Sequence, residues 1–373
     1  LTMIQLRGLG FMTVITLVSF ALHRRIGLSE RLIMVSTLNL NDMDGVVRVV
    51  RHALIGTFAM ETAGAVLMSV CLIPEFGFLK GTWHAVFHAV SSFCNAGFDL
   101  LGGRFGAFSS LAGYNDNPLM LGTTAALIVV GGLGFFVWED IVDKRCWSRL
   151  SVYSKMVLLI TAVLIVGGAL FFLMEEFDNP ATLGDMPLWQ KGLNALFQSV
   201  TLRTAGFDSI GQGGLSDTSK AMSCVLMLIG GSSGSTAGGL KTATVGVLLL
   251  ALRSGLMGRE QVTFRGRAIH YRRVLNAMTL ALVVLGVFVF SSMVVSTVED
   301  LPYLDSAFEV ASAMGTVGLT TGTTPTLTPF SQGLLILLMY MGRVGILSFS
   351  IAFITGNRHP AKIKYPEMNV MIG

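Results

Sequence analysis

Three short loops carry the residue types that can hold a bare cation with backbone alone. Asn95-Ala96-Gly97-Phe98, Thr204-Ala205-Gly206-Phe207 and Thr316-Val317-Gly318-Leu319 each set a glycine before a bulky apolar residue. Glycine lets a loop take dihedrals that turn its carbonyl oxygens to one side without a Cβ clash. A ring of such oxygens can replace the hydration shell of an ion. The chemistry expected here is coordination without covalent steps, with Asn95, Ala96, Gly97, Thr204, Ala205, Gly206, Thr316, Val317 and Gly318 as candidate carbonyl donors.

Other constellations point to different chemistry and are weaker. Gly230–Gly234 reads GGSSG, which fits the G-x-S-x-G pattern of a serine nucleophile at Ser232. Such a serine needs a histidine base. The six histidines are His23, His52, His84, His88, His270 and His359, and none falls at mid-depth in a later apolar span. An intramembrane serine protease is therefore the enzyme alternative, carried by a motif with no evident base. Gly234–Thr242 resembles a phosphate-binding loop, but Leu240 separates the second glycine from Lys241 and no strand precedes it. His84 and His88 stand four apart, yet no third metal ligand is evident. Glu61 and Glu309 read as braces for the loops, and Arg203 as an anchor beside one of them. Cys71, Cys94, Cys146 and Cys224 show no pairing pattern and are expected as free thiols.

The elements that must position these loops are membrane helices. The 373 residues are 52% hydrophobic and 13% charged, with a mean hydropathy of +0.69, against about 25% charged residues in a soluble domain. Leu54–Ile73, Pro118–Trp138, Met156–Met174, Val274–Val295 and Gly333–Ile354 approach or exceed the ~20 residues that span a bilayer. Basic residues cluster on alternate connections: Arg24, Arg25, Arg31, Arg48 and Arg51; Lys144, Arg145, Arg149 and Lys155; Arg253 to Arg273; and Arg358, Lys362 and Lys364. That side is expected to be cytoplasmic. The acidic connections face outward, where they would concentrate cations. A net charge of +4 gives no reason to expect nucleic acid as a partner.

The loop glycines lie 109 and 112 residues apart, and a phenylalanine (Phe87, Phe197, Phe308) precedes each by nine or ten positions. Trp83–Phe93, Trp189–Leu202 and Tyr303–Ala313 are amphipathic segments too short to cross. Each repeat therefore reads as span, half-span, loop, span. Non-helical backbone at membrane depth is tolerated where protein buries it or it lines a watery cavity, so the half-spans are expected to converge on one axis. The opening "IQLRGLGFMT" matches the second span of a repeat, "VVGGLGFFVW". The period would place a first loop glycine roughly 15–25 residues before Leu1. The expected fold is an all-α polytopic membrane protein, a pseudo-fourfold repeat of helix–pore-helix–helix units around a central ion pore. Its divisions are 1–40 (end of the first repeat, incomplete in this chain), 41–148, 149–258 with a broken last helix, 259–357, and a cytoplasmic tail 358–373.

"QSVTLRTAGFDS", "SAMGTVGLTTGTTPTLT", "GSSGSTAGGLKTAT", "YMGRVGIL" and "KIKYPE" together resemble the Trk/Ktr/HKT superfamily of potassium transporters. The likeness covers nearly the whole chain and is greatest to the KtrB-like membrane subunits of bacterial Ktr systems. Arg7 departs from it, standing where the family pattern has glycine. The resemblance implies potassium uptake across the bacterial inner (plasma) membrane, with the nine loop residues as its filter. A Trk-type or sodium-permeable transporter is the alternative. The resemblance also implies an intramembrane gate at Gly230, Gly231, Ser232, Ser233, Gly234, Ser235, Thr236, Ala237, Gly238, Gly239 and Lys241, contacted by Arg343. Composition supports a break there independently, since five glycines and one bulky apolar residue in twelve positions do not hold a helix. The implied partners are a second copy of this subunit, a cytosolic KtrA-like nucleotide-binding regulatory ring and the lipid bilayer. No cofactor is expected on this chain. Potassium is the expected substrate, sodium a candidate activator, and nucleotide is expected only on the partner.

Overall fold

A computed structural model describes residues 1–9, 46–259 and 261–344. The basic cluster Arg24, Arg25 and Arg31, the side chains of Arg7 and Arg48, most of the first division and the tail 358–373 lie outside the described residues.

The described chain is helical apart from one small hairpin. Helix α1 covers Thr2–Leu9. Helices α2 (Val46–Phe76) and α3 (Phe78–Phe93) follow, then α4 (Pro118–Leu133) and α5 (Phe135–Lys144). The next group is α6 (Val152–Glu175), α7 (Leu188–Thr201), α8 (Asp217–Leu228) and α9 (Thr242–Leu256). Strands β1 (Thr263–Phe264) and β2 (Arg267–Ala268) pair antiparallel. Helices α10 (Tyr271–Glu299), α11 (Tyr303–Gly315) and α12 (Pro329–Val344) complete the fold.

Length separates two helix classes. Helices α2, α6 and α10 have 31, 24 and 29 residues and are apolar enough to span a membrane. Helices α3, α7 and α11 have 16, 14 and 13 residues; at ~1.5 Å per residue they fall short of a ~30 Å hydrocarbon core. Local chemistry sets the starts. Asn117 and Ser216 accept hydrogen bonds from free N–H groups in the first turns of α4 and α8. Pro187 and Pro302 immediately precede α7 and α11. The half-helix expected from Trp83 begins earlier, at Phe78, because the chain reverses at Gly77 with a φ of 78°.

One expected span differs in shape. Pro118–Trp138 does not run straight: α4 and α5 meet at Gly134 with a bend of 94°. Gly134 has a φ of 87°, and the Phe135 N–H donates to the Gly234 carbonyl at 3.1 Å instead of closing a helical turn. The helix run 118–144 is thus broken, as is the run 217–256, where α8 and α9 are separated by residues 229–241.

Three buried clusters hold the units. The first surrounds Met68, Leu72, Phe93 and Leu121 but includes Phe197 and Phe207 of the next unit. The second surrounds Phe172, Leu202 and Met227 and includes Phe308 of the next. The third joins α10, α11 and α12 through Val295, Met314 and Leu338. Helices α7 and α11 therefore each pack partly into the cluster built by the helices before them.

Candidate functional site

The three loops share one backbone conformation. Asn95, Thr204 and Thr316 have φ values of 51°, 69° and 54°, and the glycines two positions later have 73°, 86° and 100°, while the residue between has no positive φ. Two of these left-handed residues are threonines, for which the conformation is an outlier costing on the order of 1–3 kcal/mol. Alternating handedness turns successive peptide planes the same way, as a row of inward carbonyls requires.

Close approach explains the glycines further. A Cβ on Gly97 would lie 2.5 Å from the Ala205 carbonyl oxygen, and one on Gly206 would overlap that of Val317. Loop one thus abuts loop two, and loop two abuts loop three. A Cβ on Gly318 would meet nothing within 4 Å among the described residues. Each loop follows the C-terminus of a half-helix, where unsatisfied carbonyls and the helix dipole favour positive charge. Asn95, Ala96, Thr204, Ala205 and Val317 are buried, as is the Gly315–Thr316 turn's neighbour Ala313.

Hydroxyls fasten the loops. Ser91 Oγ donates to the Phe98 carbonyl at 2.7 Å and accepts from the Phe98 N–H at 2.9 Å. Thr201 Oγ1 donates to the Phe207 carbonyl at 2.6 Å, and Ser312 Oγ accepts from the Gly318 N–H at 3.1 Å. Beyond the glycines, carboxylates arrange the outer turns. Asp99 caps the Leu101 N–H, and Asp208 accepts from the N–H groups of Ile210, Gly211 and Gln212. The third loop has Thr320 at that position, and Glu309 of α11 supplies the carboxylate instead. It accepts from the Thr321 N–H at 2.9 Å and from the hydroxyls of Thr320, Thr321, Thr323 and Thr324. Glu61, the other expected brace, accepts from Gln5 Nε2 at 3.0 Å beside Cys94.

Residues 230–241 lie against the half-helix ends. The Ser232 and Thr236 N–H groups donate to the Gly132 and Gly131 carbonyls at 2.9 and 3.3 Å. Thr236 Oγ1 donates to the carbonyl of Phe93 at the end of α3, at 3.2 Å. A Cβ on Gly238 would overlap Thr316 Oγ1 and come 3.0 Å from the Gly315 carbonyl, so this segment touches the third loop directly. Three cationic side chains hold its carbonyls: Arg343 Nη1 to Thr236 at 2.9 Å, Lys241 Nζ to Ala237 at 2.8 Å and Arg203 Nη2 to Gly230 at 3.5 Å. Arg203 thus bonds this segment, where sequence reasoning had it anchoring a glycine loop. Ser232 Oγ sits 2.8 Å from Thr242 Oγ1, and no described histidine bonds to it. None of the four cysteines forms a disulfide, and no group of three metal-ligating side chains occurs among the described residues.

The structure therefore brings the three loops together with the 230–241 segment and Arg343. Sequence reasoning missed the hydroxyl fasteners and the threonine cluster on Glu309. The fasteners did have a signal, a serine or threonine in the last turn of each half-helix. The chain is similar to proteins of known kind. A family model described as "TrkH: Cation transport protein" matches residues 2–360. The "Potassium/sodium uptake protein NtpJ" of Enterococcus hirae is 42% identical over 379 residues, covering 100% of this chain and 82% of the relative. The "Ktr system potassium uptake protein B" of Bacillus subtilis is 33% identical over 371 residues, again covering 100% and 82%. The crystal structure of the potassium transporter TrkH from Vibrio parahaemolyticus superposes with a TM-score of 0.67 at 18% identity, over 87% of this chain and 68% of that one, a likeness of fold.

Proposed function

The chain belongs to the TrkH cation transport protein family, and on that premise we propose that it takes up potassium across the bacterial cytoplasmic membrane through the constriction between its three glycine loops. Membership places it among ion transporters and outside the enzymes, so the protease reading of Ser232 falls away. The observation that carries the proposal is three loops with one dihedral pattern, the second in contact with both the first and the third, each at the C-terminal end of a half-helix. Carbonyls of residues 95–97, 204–206 and 316–318 replace water around the ion, and the dipole ends of α3, α7 and α11 offset part of its dehydration.

Residues 230–241 form the gate in this reading. Arg203, Lys241 and Arg343 do two things there: they tie down its carbonyls, and they set positive charge in the path, a barrier to cations. An intramembrane charge is costly and is expected at a functional position. A homodimer seated on a cytosolic nucleotide-binding ring controls that gate, with the basic connections outside 253–273 as its docking face. The relative named for potassium and sodium keeps a second reading in play, in which sodium stimulates uptake or permeates.

Complementation tests the proposal. Bacteria lacking their own potassium uptake should grow at limiting potassium when they express the full-length gene. Failure of the expressed, membrane-inserted protein to support growth would contradict it.

A further inference from the structure

From the end of the gate segment to the first turn of α10 the chain carries an unusual charge pattern. Arg253, Arg259, Arg265, Arg267, Arg272 and Arg273 stand in this stretch, and Glu260 is the one acidic residue between Lys241 and Glu299. All six arginines are exposed, and none makes a salt bridge among the described residues. They are nonetheless held on a built element. The β1–β2 hairpin turns at Arg265 and Gly266, with φ values of 46° and 76°, the two-residue turn suited to a tight hairpin. The Ile269 N–H donates to the Val262 carbonyl at 2.8 Å and extends the hairpin, and Ser254 Oγ donates to the Gln261 carbonyl at 2.9 Å, which ties it to the end of α9.

Position relative to the bilayer follows from helix length and the exposed apolar stripe. Helix α10 has 29 residues; at ~1.5 Å each it exceeds a ~30 Å core and carries its ends into the headgroup layers. Tyr271, Leu275, Met278 and Leu282 repeat at helical spacing on one exposed face, which suits lipid chains. That stripe runs straight up to Arg272 and Arg273. On α9, Leu252 and Leu256 flank Arg253 in the same way, exposed by 61% and 82%. A soluble acidic partner would account for the arginines but not for apolar neighbours continuous with the lipid-facing surface.

We propose that this arginine hairpin is an anionic-phospholipid site, with headgroup phosphates bound by the guanidinium groups and acyl chains lying along the α9–α10 stripe. Guanidinium matches phosphate with paired donors. A basic residue at an anionic membrane surface contributes about fivefold to binding, and a preorganised hairpin loses little freedom on binding. The site also reaches the gate. The Thr242 N–H at the start of α9 donates to the Gly231 carbonyl at 3.1 Å, so lipid drawn to the hairpin biases residues 230–241. This regulatory part rests on the gate reading above; the binding part does not.

The test has two arms. Purified protein is titrated with phosphatidylglycerol or phosphatidylcholine of the same chains, and bound lipid is counted by native mass spectrometry. Wild type should retain phosphatidylglycerol preferentially, with the preference lost at high salt. The variant R265Q/R267Q/R272Q/R273Q should lose the preference by at least about tenfold, whereas the four-lysine variant at the same positions should keep most of it and show that the fold tolerates substitution. Equal phosphatidylglycerol binding by wild type and the glutamine variant would overturn the proposal. So would retained lipid binding with loss of an acidic cytosolic subunit, which would make the hairpin a protein-docking element. In the second arm, rubidium uptake is measured with and without phosphatidylglycerol in the liposomes, and only wild type should respond. Absence of uptake in every liposome would count against the transport reading, while the lipid count would still judge this one.

Discussion

Glu309 offers the sharpest perturbation. Its carboxylate, 3% exposed, accepts the Thr321 N–H at 2.9 Å and four threonine hydroxyls, that of Thr320 at 2.6 Å. A hydrogen bond to a charged acceptor contributes about 1.5–3 kcal/mol, and such terms do not simply add. Removing the acceptor leaves the donors of one half-buried turn unpaired. The threonines are partly exposed and can turn to water, so Glu309→Ala should cost about 3–5 kcal/mol, the range for breaking one side of a buried charged network. Glu309→Gln keeps the volume and one oxygen for the Thr321 N–H. It turns charge-assisted bonds into neutral ones of about half the strength, so its cost should be about half as large. Because Glu309 fixes the turn after Gly318, the loss should also reach the third loop. Thermal unfolding in detergent should rank wild type above Gln above Ala, and potassium-over-sodium discrimination in rubidium uptake should fall in the same order. An alanine variant that unfolds and discriminates like wild type would refute the reasoning.

Other consequences follow from the same geometry. Gly206→Ala places a Cβ on the Val317 carbonyl at a φ of 86°, adding steric displacement to a left-handed penalty of about 1–2 kcal/mol; uptake should fall further than in Gly318→Ala, which carries the dihedral term alone, and the reverse order would contradict the loop contact. Deleting part of Gly231–Gly238 should raise rubidium flux without any regulator, and unchanged low flux would remove this segment as the barrier. Glu176, beyond the end of α6, would have its pKa raised by burial, but hydrogen bonds from Thr182, Asn179 and the Ser216 N–H outweigh this and hold it below the usual carboxylate range. Its stabilisation is complete above the unfolded value of ~4 and is lost as pH falls through the lower folded value; the melting-temperature gap between wild type and Glu176→Gln should therefore narrow in acid, and a gap that widens would refute the assignment.

The three glycine loops and the helix break at 230–241 were legible because both break a local rule. Glycines recurring with a fixed period inside apolar sequence have no use in straight spans, and Gly230–Lys241 lacks the side chains a helix needs. Three half-helices could be placed from length and phenylalanine spacing. The 94° bend at Gly134 was not legible, since Pro118–Trp138 is uniformly apolar and the bend comes from a hydrogen bond to Gly234, a hundred residues away. Arg203 was misassigned for a similar reason. Its neighbours in sequence belong to the second loop, but its guanidinium reaches the Gly230 carbonyl further along the same stretch, 149–258. The Glu309 cluster was half legible. The carboxylate was expected as a brace, while its partners at 320–324 depend on α11 carrying it back beside the loop that follows.

The central claim is that loop carbonyls select potassium. The measurement that tests it most directly is rubidium uptake into proteoliposomes holding the full-length protein, competed by potassium and by sodium, for wild type and Gly318→Ser. The account predicts uptake suppressed by potassium and hardly by sodium in wild type, with the difference diminished in Gly318→Ser, whose side chain strains a backbone φ of 100°. Equal suppression by both ions in wild type, or discrimination unchanged by the substitution, would contradict it.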